Sequence, residues 1–195
     1  MRKRIKKSLK RHQAQNRVRD HYRPYVPPGK GKCKVLIYAD ELIRLLTETH
    51  RFSMLGLETG GQFFGHASGE GMVIIDYVAG PGPAAEHSPA FFRQDISYLE
   101  QIGDKLLSLI PLLHLGEWHS HHHLRLHVPS AHDAQSMFYT LQQNGDMQQY
   151  LLCIATGEGP ETQAIPYMFN RTGYEALTWD IIPGESPVRK MLERL

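Results

Sequence analysis

The chain has 195 residues, 41% of them hydrophobic, with a mean hydropathy of −0.40 and a formal net charge of +2. That length suits one domain with a sizeable core; no apolar run approaches the roughly 18 residues of a membrane span, and the basic N-terminus lacks the apolar stretch of a secretory signal. Two cysteines, Cys33 and Cys153, are too few for a disulfide framework or a four-cysteine metal site, and the expected location is the cytoplasm.

Charge is unevenly distributed. Residues 1–34 hold 13 of the 22 Lys and Arg and a single acid, Asp20, which leaves nine basic against nineteen acidic residues, a net of −10, in the remainder. Arg2-Lys3-Arg4 and Lys6-Lys7 open a segment with too few apolar residues to pack, and Pro24, Pro27, Pro28, Gly29 and Gly31 make an extended linker. Residues 1–32 are therefore predicted to be a basic tail, either solvated or in contact with nucleic acid, a membrane surface or an acidic surface, and residues 33–195 the folded domain. Gly29-Lys30-Gly31-Lys32 lacks the spacing of a phosphate loop.

Lys34 to Tyr38 reads as a strand, and Asp40 as the cap of a helix carrying Leu42, Ile43, Leu45 and Leu46. Leu57-Glu58-Thr59-Gly60-Gly61 precedes a short apolar run, so that strands are expected near Gly61–His66 and Met72–Val78, joined by the turn Ser68-Gly69-Glu70-Gly71. A proline-containing loop, Gly80 to Pro89, leads to a helix with Ile96, Leu99, Ile102, Leu106 and Leu109 at helical spacing. Leu112 to Leu115 are apolar enough to enter the sheet, and strand alternation carries His119 and His121 to one face, about 7 Å apart along the strand. Pro129-Ser130 starts a helix: Ser130 is a good N-cap, Asp133 three residues on completes a variant capping box, and Ala134, Met137, Phe138 and Leu141 form the apolar stripe. Strands near Gln149–Ala155 and Gln163–Met168 and a short helix from Pro187 to Leu195 complete a mixed α/β (α+β) order, a mixed sheet flanked by helices.

Two imidazoles and a carboxylate, His119, His121 and Asp133, supply the three protein ligands of a hydrolytic zinc site, whose fourth position stays open for water. Such a water needs a proton acceptor, and Glu58, next to a Gly-Gly pair that permits close backbone approach, is the candidate general base. The combination of Glu-x-Gly-Gly, Trp-His-Ser-His and Pro-Ser-x-x-Asp resembles the JAMM (JAB/MPN) metalloproteases, zinc isopeptidases that remove ubiquitin or ubiquitin-like proteins from conjugates. The match spans roughly residues 35 to 170. The resemblance implies an MPN, cytidine-deaminase-like sandwich; one Zn2+ per chain on His119, His121 and Asp133; Glu58 as the acid/base; Ser130 as the hydroxyl that stabilises the oxyanion; and Gly60, Gly61 and Trp118 as packing around the site. It departs in the loop between His121 and Asp133, which is one residue longer than the family's usual pattern, and in His122, which stands where a proline commonly follows. The Trp-His-Ser-His-His form looks more like the bacterial members encoded beside ubiquitin-activating and ubiquitin-conjugating enzyme homologues, which implies a ubiquitin-like protein or its conjugates as partner and those enzymes as associates. Recognition of an extended tail is expected at the Gly80–Arg93 and His122–Val128 loops.

Alternatives are a ligand pair shifted to His121 and His123, a loop that adsorbs metals, since six of the twelve histidines fall between His119 and His132, a non-catalytic scaffold of the same fold, and a nucleic-acid-binding protein led by the tail. The shifted pair breaks the Trp-His-Ser-His match, and three ligands are one short of a closed structural site. The sequence argues against a nucleoside deaminase, because His-x-Glu with Pro-Cys-x-x-Cys is missing.

Overall fold

Runs rich in β-branched and aromatic residues pair into one eight-stranded mixed sheet with four helices packed on it, in a computed structural model that describes residues 34–67, 72–121, 126–157 and 161–194. The basic tail predicted over residues 1–32, the Ser68–Gly71 turn, His122 and His123 lie outside the described residues. In chain order the elements are β1 (Lys34–Tyr38), α1 (Ala39–Ser53), β2 (Gly60–Ala67), β3 (Met72–Ala79), the two-residue strands β4 (Glu86–His87) and β5 (Phe92–Arg93), α2 (Ile96–Leu109), β6 (Leu113–Ser120), α3 (Ala131–Gln143), β7 (Gln149–Thr156), β8 (Gln163–Asn170), β9 (Tyr174–Ala176), β10 (Trp179–Ile182) and α4 (Pro187–Leu192). The sheet runs β10-β1-β3-β2-β6-β7-β8-β9, while β4 and β5 form a separate hairpin inside the loop expected between β3 and α2. The pairs β1/β10, β1/β3 and β6/β7 are parallel and the others antiparallel. Among the described residues no helix is long and apolar enough to cross a membrane.

Both faces of the sheet are covered. On one, Leu42, Leu45 and Leu46 of α1 meet Val35, Ile37, Phe63, Leu115, Trp118, Leu151 and Cys153. On the other, Leu99 and Leu106 of α2 and Val188 of α4 cover Phe64 and Tyr77, and Met137 and Leu141 of α3 cover Tyr150, Leu152 and Ile154. β7 is accordingly buried along both faces, from Tyr150 through Thr156, as a central strand with a parallel neighbour should be. Cys153 lies in that core with burial pushing its thiol pKa up, a structural position and not a nucleophile.

One irregularity in β6 decides what the site can be. Against β2, Phe63 pairs with Gly116 but Phe64 pairs with His114, so Leu115 is an extra residue. A one-residue insertion reverses the side-chain alternation beyond it. Leu113 and Leu115 point to the α1 core and so does Trp118, which leaves Glu117 and His119 on the α3 face. Without the bulge those two polar residues would enter the core.

Two local expectations are corrected. Asp40 does not cap α1: the N-cap is Tyr38, without a side-chain bond, and Asp40 lies in the first turn, where its Oδ1 accepts the Ser186 N–H at 3.0 Å and fastens the approach to α4. Ile43 and Leu109, which the sequence places in apolar stripes, are 61% and 36% exposed, and only the Leu42, Leu45 and Leu46 side of α1 and the Leu99 and Leu106 side of α2 meet the sheet. β9 and β10 lie beyond the strands that the sequence predicts; both are short edge strands, β9 exposed throughout and β10 partly buried at Trp179 and Ile182.

Candidate metal centre

β6 ends at Ser120, and the next residue stays fastened to β7, the His121 N–H bonded to the Ala155 carbonyl at 2.9 Å. This holds both imidazoles beside the N-terminus of α3. That helix starts as its sequence predicts: Ser130 Oγ accepts the Asp133 N–H at 3.2 Å, and Asp133 Oδ2 accepts the Ser130 N–H at 2.7 Å, a reciprocal capping box. The box also aims the Asp133 carboxylate at the strand end. His119 Nε2 and His121 Nε2 lie 3.1 Å apart, and each is 3.3 Å from one oxygen of Asp133.

Ligands at 2.0–2.2 Å from a tetrahedral metal are separated from one another by about 3.3–3.5 Å; the two imidazole nitrogens stand near that separation, each beside a different oxygen of Asp133, and one donor atom from each residue lies within 4.8 Å of the others. His121 Nδ1 donates to the Leu126 carbonyl at 3.1 Å, which leaves its Nε2 lone pair directed at the centre, the arrangement usual for a ligand histidine. The side chains of His119, His121 and Asp133 are 14%, 14% and 12% exposed. The group can hold a metal ion, and all three residues line one cleft.

That cleft, about 700 Å³, is lined by all five residues singled out in the sequence: Glu58, His119, His121, Ser130 and Asp133. Its lining from Pro89 to Gln94 belongs to the β4–β5 hairpin and its end, and Leu126 lines it too, so residues of both loops expected at a recognition groove reach this cleft. Gly60 and Gly61 are forced by packing: a Cβ on Gly61 would stand 1.8 Å from the Ala79 carbonyl and 2.7 Å from Trp118 Nε1, and one on Gly60 would strike the Phe92 ring at 2.7 Å. Trp118, 1% exposed, backs the site and donates to the Ala79 carbonyl at 3.1 Å.

Several positioning residues carry no readable sequence signal. The Glu58 peptide is gripped by the hairpin, its N–H donating to the Ser88 carbonyl at 2.8 Å and its carbonyl accepting from His87 Nδ1 at 2.8 Å, while the His87 ring stacks on Phe52 at 4.0 Å. Ser120, between the two histidines but on the opposite face, accepts the Thr59 N–H at 2.9 Å and so ties the Glu58 segment to β6. The segment that holds His121 is itself held by Tyr167, whose hydroxyl donates to the His127 carbonyl, and by Thr156 Oγ1, 2.6 Å from His127 Nδ1. Tyr167→Phe is expected to weaken metal binding by about 10- to 100-fold, the usual cost of losing an outer support, with the apo fold retained. A chelator competition would reveal this, and unchanged affinity would exclude the role.

The electrostatics suit a cation. Burial opposes the charged form of Asp133, but hydrogen bonds from His119 and His121, and from Ser130, hold its carboxyl well below the usual carboxylate range. Burial likewise disfavours a charged His121, yet Asp133, the Leu126 carbonyl and the Glu58 charge outweigh it and raise its pKa above the ordinary 6.5. A metal needs the neutral imidazole, so protons compete for His121. Affinity for a divalent metal ion at this group is therefore expected to fall as pH drops, beginning above about 6.5, by about tenfold per pH unit for each imidazolium displaced. In the metal-free protein the sign is opposite: His121 contributes stability below its unfolded value that is lost as pH rises through its folded pKa. Zinc titrations between about pH 5 and 8 check this, and an affinity flat through the imidazole range would contradict it.

No family model matches the chain, and no curated protein matches it. Among solved structures it is similar to the solution structure of a protein from Desulfitobacterium hafniense, with a TM-score of 0.61 and 16% sequence identity over 77% of this chain and 94% of that one. At that identity the likeness bears on the fold alone.

Proposed function

We propose that this chain is a zinc-dependent isopeptidase or peptidase of the JAMM (MPN) type, with the deaminase-like sandwich of that family, which cleaves after the C-terminus of a ubiquitin-like protein in deconjugation or precursor processing. The observation that carries the reading is the triangle of His119, His121 and Asp133 donors opening into the cleft that also holds Glu58 and Ser130. Two imidazoles and a carboxylate with an open position favour zinc in a hydrolytic role over a closed structural site. When bound, zinc supplies Lewis acidity, polarising a carbonyl and lowering the pKa of water to about 7.

The chain's own residues divide the remaining work. Glu58 takes the proton of the attacking water and returns it to the leaving amine. Ser130 accepts the Asp133 N–H through its oxygen, and its O–H, which in the absence of substrate helps to hold the Asp133 carboxylate, is the donor to the tetrahedral oxyanion. The Ser130 N–H and the Leu126 carbonyl keep Asp133 and His121 in orientation. The apolar wall formed by Pro89, Phe91 and Phe92 suits an extended tail. Partners would be ubiquitin-like conjugates and the activating and conjugating enzymes of the same cytoplasmic system, with the basic tail free to meet nucleic acid or an acidic surface.

Zinc content of purified variants, together with cleavage of a ubiquitin-like fusion, tests the proposal. Wild type should carry about one zinc per chain; His119→Ala and Asp133→Ala should lose both zinc and cleavage, and His123→Ala should keep both. An empty site in His123→Ala alone would show that the ligand set is shifted.

A further inference from the structure

Beyond the bulge in β6, the residue two positions upstream of His119 on the same face is Glu117, and its cross-strand neighbour on β2 is Gln62. Both line the cleft. Neither has a part in the mechanism above, and both are held from beneath by buried partners. Tyr150, 1% exposed, donates its hydroxyl to Glu117 Oε2 at 3.5 Å, and His114, 7% exposed, lies with Nε2 2.6 Å from Gln62 Oε1 and 3.5 Å from the Tyr150 hydroxyl. The cleft thus has a second, pre-organised polar arm leading away from the ligand triangle.

A carboxylate in such a position accepts hydrogen bonds and donates none, and partial withdrawal from water is costly unless a charged group answers it. Among the described residues Glu117 forms no ion pair, and the Arg93 guanidinium across the cleft is engaged by Glu86. We propose that Glu117, with Gln62 beside it, is a subsite for a cationic side chain, Lys or Arg, carried by the substrate about two residues from the scissile carbonyl. The distance follows from the strand: at about 3.3–3.4 Å per residue Glu117 lies roughly 7 Å from His119, which an extended substrate covers in two residues. An ammonium or guanidinium would make charge-assisted bonds there, and an acidic side chain would be repelled. Which bond is cut rests on the hydrolase reading; the preference for a cation does not.

The test uses zinc-loaded full-length Glu58→Gln protein, in which binding is read without turnover, and short Gly-Gly peptides carrying Lys, norleucine or Glu at each position near the Gly-Gly carbonyl in turn. At one position the Lys peptide should bind on the order of 10- to 100-fold more tightly than the norleucine peptide, the range for a hydrogen bond to a charged group, with Glu weakest. Adding Glu117→Gln should bring the Lys-to-norleucine ratio to about one, and Glu117→Asp, whose carboxylate is retracted by one methylene, should give an intermediate ratio. No preference at any position, or a preference that survives Glu117→Gln, overturns the proposal. If wild type cleaves the peptides without a cation preference, the subsite fails and the hydrolase stands. If wild type cleaves nothing while the Glu117-dependent preference persists, the hydrolase fails and the subsite stands.

Discussion

Replacing Glu58 with Gln is expected to lower cleavage of a ubiquitin-like fusion by a factor on the order of 10² to 10⁴, the contribution of a positioned general acid/base, while zinc content stays at about one per chain. The two outcomes separate because Glu58 lies in the cleft but outside the ligand triangle. Its placement depends on backbone bonds to Ser88 and His87, which an isosteric amide does not disturb. Ser130→Ala should cost less, on the order of 10² to 10³ in turnover if the hydroxyl serves the oxyanion. It should also lower stability by about 1 kcal/mol, since half of the capping box is lost. Cleavage assays with zinc measured in the same samples decide it: a Glu58→Gln protein as active as wild type would remove Glu58 from the mechanism.

Arg189→Met is expected to destabilise the fold by about 3–5 kcal/mol, the cost of stranding a buried charge, for a reason unrelated to the site. Glu41, in the first turn of α1, is fully buried; it accepts the Val78 N–H at 2.8 Å and two bonds from Arg189, at 2.8 and 2.7 Å. Arg189 also donates to the Val78 carbonyl at 3.0 Å and lies 3.9 Å over the Tyr77 ring. Burial disfavours the guanidinium charge, but Glu41 more than restores it, so the Arg189 pKa is raised. Removing the arginine leaves a carboxylate with no access to water. Glu41→Gln should cost less, because an amide oxygen can still accept from Val78 and the Arg189 side chain, 12% exposed, can turn toward solvent. At about 2–4 °C per kcal/mol for a chain of this size, Arg189→Met should lower Tm by roughly 6–20 °C. A shift of under about 2 °C would show that the pair contributes little.

The donor cluster of the site was readable because its parts are local. His119 lies near the end of β6 and His121 directly follows it, and Ser130 and Asp133 form one reciprocal helix cap that fixes the Asp133 carboxylate. What could not be read is what joins distant segments. The Leu115 bulge depends on the register between β2 and β6. Ser120 meets Thr59, 61 residues away, and Tyr167 meets His127 across 40 residues; a serine or tyrosine at those positions has no pattern to distinguish it from an ordinary strand residue. Asp40 looked like a helix cap because composition marks the turn, and not which residue in it faces the first N–H. β4, β5, β9 and β10 are too short for periodicity to register.

The most direct test of the metal-dependent hydrolase is to remove and restore the metal while following cleavage of a ubiquitin-like protein fused through a Gly-Gly terminus. Chelator-treated protein should be inactive but folded, and activity should return in proportion to zinc added, reaching a plateau at about one ion per chain. A protein that binds one zinc per chain at these ligands and still cleaves no such fusion or conjugate would contradict the account and leave a non-catalytic scaffold in its place.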